Sequence, residues 1–418
     1  MRFKDDSILL VLPVPFRRDI KGNLLVEMQA ANGLERWAEN FQHLVVACPC
    51  QPTCEISVDT SADYIGVDCL ASRNRIEFLP LPWAYSLGSF LKAYRRTQKL
   101  LADKISNCKY LSFAIGGLVG DWASVAALEA IHQKRQFSIW TDRVEHLVIQ
   151  GSQADAKGLK KIYHILRNNL VTSPLMKHLE KYIISRCDLG LFHGLDCLAA
   201  YSSYCHNPHL VHDIHLKPED RIGSQAMSQK LTRVAAGEPL KLLYVGRVAE
   251  MKGPLDWIGV MSDLNNRGVA FYASWIGDGP LLTEARDKVT QQNLNEVVEF
   301  SGYVGNRDQL LQAIQKSDLF IFCHKTPESP RCLIESLMSG SPILGYSSSY
   351  SQDLLGDMAS RLLVNRDNFS DLAAKIAYFD KHRDELIEIT KFCHELGAKF
   401  SDEAVFKHRS NLIKYYLT

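Results

Sequence analysis

Residues 240–254 read LKLLYVGRVAEMKGP, and the interpretation of the rest of the chain starts from this stretch. The apolar run LKLLYV predicts a buried β-strand, and Pro254 falls where the first residue of the following helix is expected. Arg247 and Lys252 therefore flank a turn that leads from a strand into a helix. Because helix N-termini and basic side chains both attract anions, this turn is a candidate phosphate site. Taken alone, the stretch is equally well explained as a basic surface turn without a ligand.

Strands and helices are predicted to alternate along the whole chain. The apolar runs SILLVLPVP, HLVVACP and IEFLPLP in the first half, and VAFYASWIG and LFIFCH in the second, predict strands. Segments with apolar residues at helical spacing separate them. This alternation is typical of parallel sheets that are covered by helices on both faces. The sequence therefore predicts an α/β protein with two successive Rossmann-like domains.

The length of 418 residues favours two domains over one. A polar, weakly patterned segment that contains Gly and Pro predicts a linker at residues 223–239. The predicted domains are an N-terminal Rossmann-like domain at 1–222 and a C-terminal Rossmann-like domain at 240–395. Residues 396–418 are expected to form a C-terminal helix that packs back on the N-terminal domain.

Composition excludes several classes of protein. The 48 basic and 47 acidic residues nearly cancel, so no nucleic-acid partner is expected. The sequence has no uninterrupted apolar stretch of about 18 residues and no signal-peptide pattern at its start, so no membrane span is predicted. Its eleven cysteines are scattered and odd in number, as expected of reduced thiols in the cytoplasm.

Residues 157–186 form a basic segment with helical periodicity. A solvated helix face is the simpler explanation for this pattern. The alternative is a peripheral contact with the inner face of a membrane, where basic helices bind anionic lipids, or with a lipid-linked acceptor. The expected localisation is therefore cytoplasmic, with peripheral contact at the inner membrane as the alternative.

Polar loops follow several predicted strands of the second half. In an open parallel sheet ligands bind outside the carboxyl ends of the strands, so these loops are expected to converge on one site.

Glu335 lies in the helix after Pro330, where its carboxylate can accept hydrogen bonds from ribose hydroxyls. A solvent-facing helix residue is the alternative for Glu335. Ser329 is expected to cap this helix. Neither GxGxxG after a strand nor GxxxxGK[ST] occurs, which disfavours nicotinamide and P-loop sites.

Five motifs occur in order within residues 240–346: YVGRVAEMKG, WIGDGP, FSGYVG, SDLFIF and RCLIESLMSGSPILGY. With these motifs the sequence resembles the retaining glycosyltransferases of family GT4, the glycosyl transferases group 1. The resemblance implies the GT-B fold, two facing Rossmann-like domains with a deep interdomain cleft. It implies that the domain at 1–222 binds the acceptor and that the domain at 240–395 binds the nucleotide sugar. It also implies transfer of a hexose from a nucleotide-diphosphate sugar, with UDP-glucose the first choice, to a saccharide or lipid-linked acceptor in polysaccharide or glycoconjugate biosynthesis. Retention of configuration is implied, and neither a metal ion nor another cofactor is expected.

The resemblance also implies roles for individual residues. Arg247 and Lys252 match the pair that grips the donor diphosphate, and Glu335 matches the carboxylate that holds the ribose. Glu328 is expected to contact the sugar, although the paired glutamates of the family have one more residue between them. The base-reading turn corresponds to Gly302, Tyr303 and Val304. The remaining residues expected at the donor are Gly22, Asn23, Gly246, Gly277, Ser329, Arg331, Cys332 and Leu333.

Gly22 and Asn23 stand where the family often has a Gly-Gly pair before the first helix. The family's histidine after the fourth strand is missing from FAIGGLVGDW. Asp142, Arg143 and Glu145, which follow the strand FSIW, are the candidates for acceptor binding, and ordinary loop charges are the alternative. A nucleotide-sugar epimerase of the same architecture and a non-catalytic sugar-nucleotide-binding subunit are the alternative functions.

Overall fold

A computed structural model describes residues 4–52, 64–147, 168–212, 214, 216–326 and 329–417. The chain forms two compact units. The first comprises Met1–His215 and Asp402–Thr418, and the second comprises Leu216–Ser401. Each unit is built around a parallel β-sheet, which confirms the predicted α/β fold with Rossmann-like domains.

The first unit contains a seven-stranded sheet in the order β10-β9-β8-β7-β1-β4-β6 and a small antiparallel sheet in the order β2-β3-β5. Its strands are β1 (Lys4–Val11), β2 (Arg17–Arg18), β3 (Leu24–Glu27), β4 (His43–Cys50), β5 (Tyr64–Gly66), β6 (Ile76–Pro82), β7 (Cys108–Ala114), β8 (Ser138–Thr141), β9 (Leu189–His193) and β10 (Pro208–Val211). Its helices are α1 (Met28–Asn40), α2 (Leu87–Asn107), α3 (Trp122–His132), α4 (Ser173–Ile184), α5 (Gly194–Tyr201) and α15 (Asp402–Tyr416).

The uninterrupted apolar run of β1 reflects burial on both faces of this sheet. Leu9 packs in one apolar cluster, which also contains Trp122 of α3. Its neighbours Ile8 and Leu10 pack in a second cluster, which contains Trp37 of α1. Successive side chains of a strand point to opposite faces, so helices on both sides require apolar residues at every position.

The second unit contains a six-stranded sheet in the order β13-β12-β11-β14-β15-β16, with every neighbouring pair parallel. Its strands are β11 (Leu240–Val245), β12 (Phe271–Ile276), β13 (Val298–Gly302), β14 (Leu319–Phe322), β15 (Ile343–Tyr346) and β16 (Leu363–Val364). Its helices are α6 (Ser224–Ala235), α7 (Pro254–Asn266), α8 (Leu282–Gln291), α9 (Arg307–Lys316), α10 (Arg331–Met338), α11 (Ser349–Leu355), α12 (Ala359–Leu362), α13 (Phe369–Lys381) and α14 (Arg383–Gly397).

The linker predicted at residues 223–239 is wrong, because α6 occupies most of this segment and belongs to the second unit. Met227, Lys230 and Val234 are its buried residues, at the spacing of one helix face. A lysine in the middle of that face interrupts the apolar pattern in the sequence and makes the segment look unstructured.

The C-terminal helix α15 belongs to the first unit and begins at Asp402, not at residue 396. The carboxylate of Asp402 is fully buried and accepts hydrogen bonds from Asn32 and from Arg36, both on α1. Phe406 packs edge-on against Trp37, with ring centroids 5.5 Å apart. The helix thus completes one face of the first unit.

The basic segment predicted at 157–186 is described only from residue 168 onward. In that part, α4 exposes Leu175 and Lys177. No helix within the described ranges is long and apolar enough to cross a membrane.

Lys230 is buried and holds the end of α10. Its ammonium donates to the carbonyl oxygens of Gly340 at 2.7 Å and Ser339 at 3.3 Å. Burial lowers the pKa of Lys230 to about 7, while Asp318 acts to raise the pKa and Arg233 to lower it. An unfolded lysine has a pKa of about 10.4. Between pH 7 and pH 10 the unfolded chain therefore binds more protons than the folded chain.

The first prediction concerns the free energy of unfolding of the wild type minus that of Lys230→Met. We expect this difference to rise with pH between pH 7 and pH 10. The expected slope is on the order of 1 kcal/mol per pH unit, because methionine carries no proton in either state. Urea unfolding at several pH values measures it. Lys391→Met, which changes an exposed lysine on α14, is the control and should show no such trend. A difference between wild type and Lys230→Met that stays constant with pH would contradict the buried, neutral lysine.

Candidate functional site

The candidate site lies where the strand order of the second sheet reverses. β11 and β14 are neighbours, with β12 following on one side and β15 on the other. Ligands of open parallel sheets bind outside the carboxyl ends of the strands at such a point. The loops after β11 and β14 therefore define the candidate site.

The loop after β11 carries the two predicted cations into the start of α7. Arg247 is exposed and Lys252 is half-buried. Gly253, with φ of 64°, is the N-cap of α7, and Pro254 is the first helical residue, as predicted. The positive end of the helix dipole thus lies in the same loop as both cations.

Glycines allow three loops to pack closely together at this point. A Cβ atom on Gly253 would lie 2.1 Å from the carbonyl oxygen of Cys323 in the loop after β14. A Cβ atom on Gly277 would lie 2.0 Å from the carbonyl oxygen of Gly246. Both separations are far below van der Waals contact, so the packing of the loops after β11, β12 and β14 requires glycine at Gly253 and Gly277.

Backbone hydrogen bonds tie the same three loops together. The amide of Val248 donates to the carbonyl of Asp278 at 2.9 Å. The amide of Lys325 donates to the carbonyl of Met251, also at 2.9 Å. The loop that carries Arg247 is therefore held on both sides, which preorganises it for a ligand.

His324 and Tyr244 form a buried pair next to this loop that the sequence analysis did not identify. The Tyr244 hydroxyl lies 2.7 Å from Nε2 of His324. Burial lowers the pKa of His324 well below its usual value, and the charge of Lys252 lowers the pKa further. His324 is therefore neutral at physiological pH. A polar residue directly after the apolar run of β14 is the signal that could have revealed it.

A network of charges joins the loop after β14 to the first turn of α7. Lys325 forms ion pairs with Asp256 and with Asp367, the second at 2.6 Å. The Tyr346 hydroxyl donates to the carboxylate of Asp256 at 2.6 Å. These side chains hold the start of α7 in place, and their separation along the chain hid the network from sequence analysis.

Glu335 contacts the first residue of α9. Its Oε1 atom lies 3.3 Å from both Nη1 and Nη2 of Arg307, the first residue of α9. Only 12% of the Glu335 side chain is exposed. Glu335 is therefore not a solvent-facing helix residue, and Arg307 is a partner that the sequence analysis missed.

The predicted base-reading turn lies directly before Arg307. Gly302 has φ of 77° and open space around its Cα atom, and its carbonyl accepts from the amide of Gly277 at 2.8 Å. Tyr303 is largely exposed and Val304 is half-buried. Because Arg307 follows this turn in the chain and pairs with Glu335, the turn and Glu335 lie in the same region of the second unit.

The start of α10 differs from the prediction. The N-cap is Pro330, and no side chain caps the helix, so the expected capping by Ser329 is wrong. Leu333 is buried and its amide donates to the Pro330 carbonyl at 3.2 Å, so it serves packing. Arg331 is exposed and Cys332 half-buried in the first turn. Glu328 lies outside the described residues.

Gly22 and Asn23 do not stand directly before the first helix, because β3 separates them from α1. They lie in the turn between β2 and β3. The Gly22 amide donates to the carbonyl of Asp19 at 3.0 Å, and the Asn23 amide donates to the Asp19 carboxylate at 2.8 Å. Both amides therefore stabilise the hairpin turn, and the expected role of Gly22 and Asn23 at the donor phosphate stays a prediction.

The acceptor candidates lie after β8 in the first unit. Nε of Arg143 lies 2.7 Å from Oε1 of Glu145, and Asp142 is exposed. Burial raises the pKa of Glu145, while Arg143 acts to lower the pKa. A Cβ atom on Gly116 would lie 3.5 Å from Oε1 of Glu145, so this carboxylate reaches the loop after β7.

Within the described ranges, no group of three or more His, Cys, Asp or Glu side chains is placed to hold a metal ion.

Comparison with known proteins agrees with this geometry. The model of the family Glycosyl transferases group 1 matches residues 229–393. The putative colanic acid biosynthesis glycosyltransferase WcaL of Salmonella typhimurium is 25% identical over 211 residues, which cover 47% of this chain and 52% of the relative. The chain therefore spans about half the length of the curated relatives it matches.

Solved structures with a similar fold cover almost the whole chain. Anabaena HepE in complex with UDP has a TM-score of 0.65 at 13% identity, covering 96% of this chain and 98% of its own. WaaG, a glycosyltransferase involved in lipopolysaccharide biosynthesis, has a TM-score of 0.60 at 11% identity, covering 97% and 99%. The chain thus has the α/β fold of GT-B glycosyltransferases, and its residues 229–393 match the glycosyl transferases group 1 family.

Proposed function

We propose that this protein is a glycosyltransferase that moves a hexose from a nucleotide-diphosphate sugar to a saccharide or lipid-linked saccharide acceptor. The observation that carries the proposal is the position of Arg247 and Lys252 beside the start of α7, where the strand order reverses. The family match of residues 229–393 and the WcaL relative support a role in polysaccharide or glycoconjugate biosynthesis. Structures of HepE with UDP and with UDP-glucose support UDP-glucose as the first donor to test.

In this proposal the donor diphosphate lies against Arg247, Lys252 and the N-terminus of α7. Fixed cations and a helix N-terminus are suited to phosphate oxygens. Glu335 accepts hydrogen bonds from the ribose, and Gly302, Tyr303 and Val304 contact the base. Arg307 pairs with Glu335 and thereby supplies a counter-charge to a largely buried carboxylate.

Transfer breaks the bond between the anomeric carbon and the diphosphate oxygen, while an acceptor hydroxyl forms the new bond and loses its proton. Negative charge grows on the leaving diphosphate during this step. Arg247 and Lys252 interact with that charge more strongly in the transition state than in the ground state, which lowers the barrier. Because His324 stays neutral, it places no second positive charge beside Lys252.

Further features of the reaction are part of the same proposal. Attack from the face that the leaving group departs from would retain the anomeric configuration, and Glu328 would contact the sugar. The two cations take the charge-neutralising role that a metal ion has in other transferases, so no metal is required.

We assign acceptor binding to the first unit, with Asp142, Arg143 and Glu145 as its candidates, and a peripheral membrane contact to the surface that includes α4.

Arg247→Ala and Lys252→Ala should each reduce transfer from UDP-glucose by roughly a hundredfold or more, because each removes a cation from the leaving group. Acceptor-dependent release of UDP measures the rate. Lys391→Ala on α14 is the control and should be fully active. All three variants should keep the wild-type melting temperature. Near-normal turnover in either site variant would remove the diphosphate assignment.

Glu335→Ala should weaken UDP binding by about tenfold, because a charged acceptor of ribose hydrogen bonds is lost. It should also abolish the preference for UDP over 2′-deoxy-UDP, which isothermal titration calorimetry measures. Arg307→Ala is the matched variant, because it removes the ion pair and leaves the carboxylate in place. Arg307→Ala should therefore keep the preference for UDP. If Glu335→Ala keeps it as well, Glu335 does not hold the ribose.

Protein treated with EDTA should keep its full rate of transfer, and added Mg²⁺ or Mn²⁺ should not raise it. The physical reason is that Arg247 and Lys252 already supply the positive charge that a divalent ion would bring. A rate that falls after EDTA treatment and returns with metal would contradict the metal-independent mechanism.

A further inference from the structure

A second positively charged pocket lies at the amino end of the sheet in the second unit, away from the donor loop. Its volume is about 350 Å³. Lys241, the second residue of β11, lines it, whereas Arg247 follows the carboxyl end of the same strand. A strand rises about 3.3 Å per residue, so the two residues are separated by roughly 20 Å.

Four basic side chains and no carboxylate line the walls of this pocket. They are Lys230 and Arg233 on α6, Lys241 on β11 and Lys316 at the end of α9. The carboxylate of Asp318 forms an ion pair with Arg233 and accepts the amide of Lys241 at 2.8 Å. This carboxylate balances Arg233, and burial lowers the pKa of Lys230 to about 7, so the excess positive charge of the pocket comes mainly from Lys241 and Lys316. An anion would neutralise that charge.

The basic side chains differ in how firmly they are held. Lys230 is only 6% exposed, and its two hydrogen bonds to the end of α10 fix its position. Lys241 and Lys316 are exposed and free to reorient toward a ligand at the rim. The side-chain amides of Gln229 and Gln312 also line the pocket and are exposed. Lysines suit phosphate oxygens, and amides both donate to and accept from hydroxyl groups.

We propose that this pocket binds a small phosphorylated carbohydrate at a site separate from the donor loop. Lys241 and Lys316 contact the phosphate, and Gln229 and Gln312 contact the sugar hydroxyls. A volume of about 350 Å³ is at the lower end of the range for small-molecule sites, which suits a monosaccharide phosphate better than a nucleotide sugar.

Calorimetric titration of the full chain with glucose 6-phosphate, inorganic phosphate and glucose tests the proposal. We expect glucose 6-phosphate to bind more tightly than inorganic phosphate, and glucose not to bind. The double variant Lys241→Ala, Lys316→Ala should bind glucose 6-phosphate about tenfold more weakly or worse, because two charged donors are lost. The control double variant Lys381→Ala, Lys391→Ala makes the same change in net charge at exposed positions outside the pocket and should bind like the wild type.

A third double variant, Arg247→Ala, Lys252→Ala, separates this site from the proposed donor site. It should bind glucose 6-phosphate normally whether or not the proposed transferase activity exists. Loss of binding in this variant, or normal binding by Lys241→Ala, Lys316→Ala, would overturn the proposal, because the ligand would then occupy another site. If inorganic phosphate binds as tightly as glucose 6-phosphate, the pocket does not recognise the carbohydrate. If the wild type does not bind glucose 6-phosphate, the whole proposal is overturned.

Discussion

The candidate site of the second unit depends on a steric constraint, the absence of a Cβ atom where two loops meet. Gly253 approaches the carbonyl of Cys323, and Gly277 approaches that of Gly246, so closely that no other residue fits. These contacts bring the loops after β11, β12 and β14 to one point. The cations, the start of α7 and the buried His324 are near one another only because the loops pack in this way. A small number of backbone contacts therefore fixes the electrostatics of the site.

Burial then determines which groups in this region carry charge. Lys252 is half-buried beside a histidine that burial and the charge of the lysine together keep neutral. Glu335 keeps its negative charge balanced by Arg307. The protein thus separates a cationic loop, suited to phosphate, from a carboxylate suited to hydroxyl groups. In the proposed function the loop serves the diphosphate of the donor and the carboxylate serves its ribose.

Local pattern was enough to predict most of the fold. The apolar runs of β1, β11 and β14 are buried on both faces, and Pro254 begins α7 as expected. The errors arose where the burial or pairing of a residue depends on partners that are distant in the sequence. Lys230 is buried because α10 ends above it, so α6 looked like a linker. The hairpin that contains Gly22 is stabilised by pairing with β5, and Arg307 meets Glu335 only through the folded chain. Burial and pairing of this kind leave no periodic signal in the sequence.

The chain crosses from the first unit to the second after His215 and returns at Asp402. Phe406 and Ile413 of α15 belong to the same apolar cluster as Ile8 and Leu10 of β1. During synthesis on the ribosome, the first unit therefore lacks part of its core until the second unit has been made. Its exposed apolar face must stay unpaired over that interval, whereas the second unit is continuous and can fold as soon as it emerges. The topology thus sets an order of assembly in which the segment made first is the last to be completed.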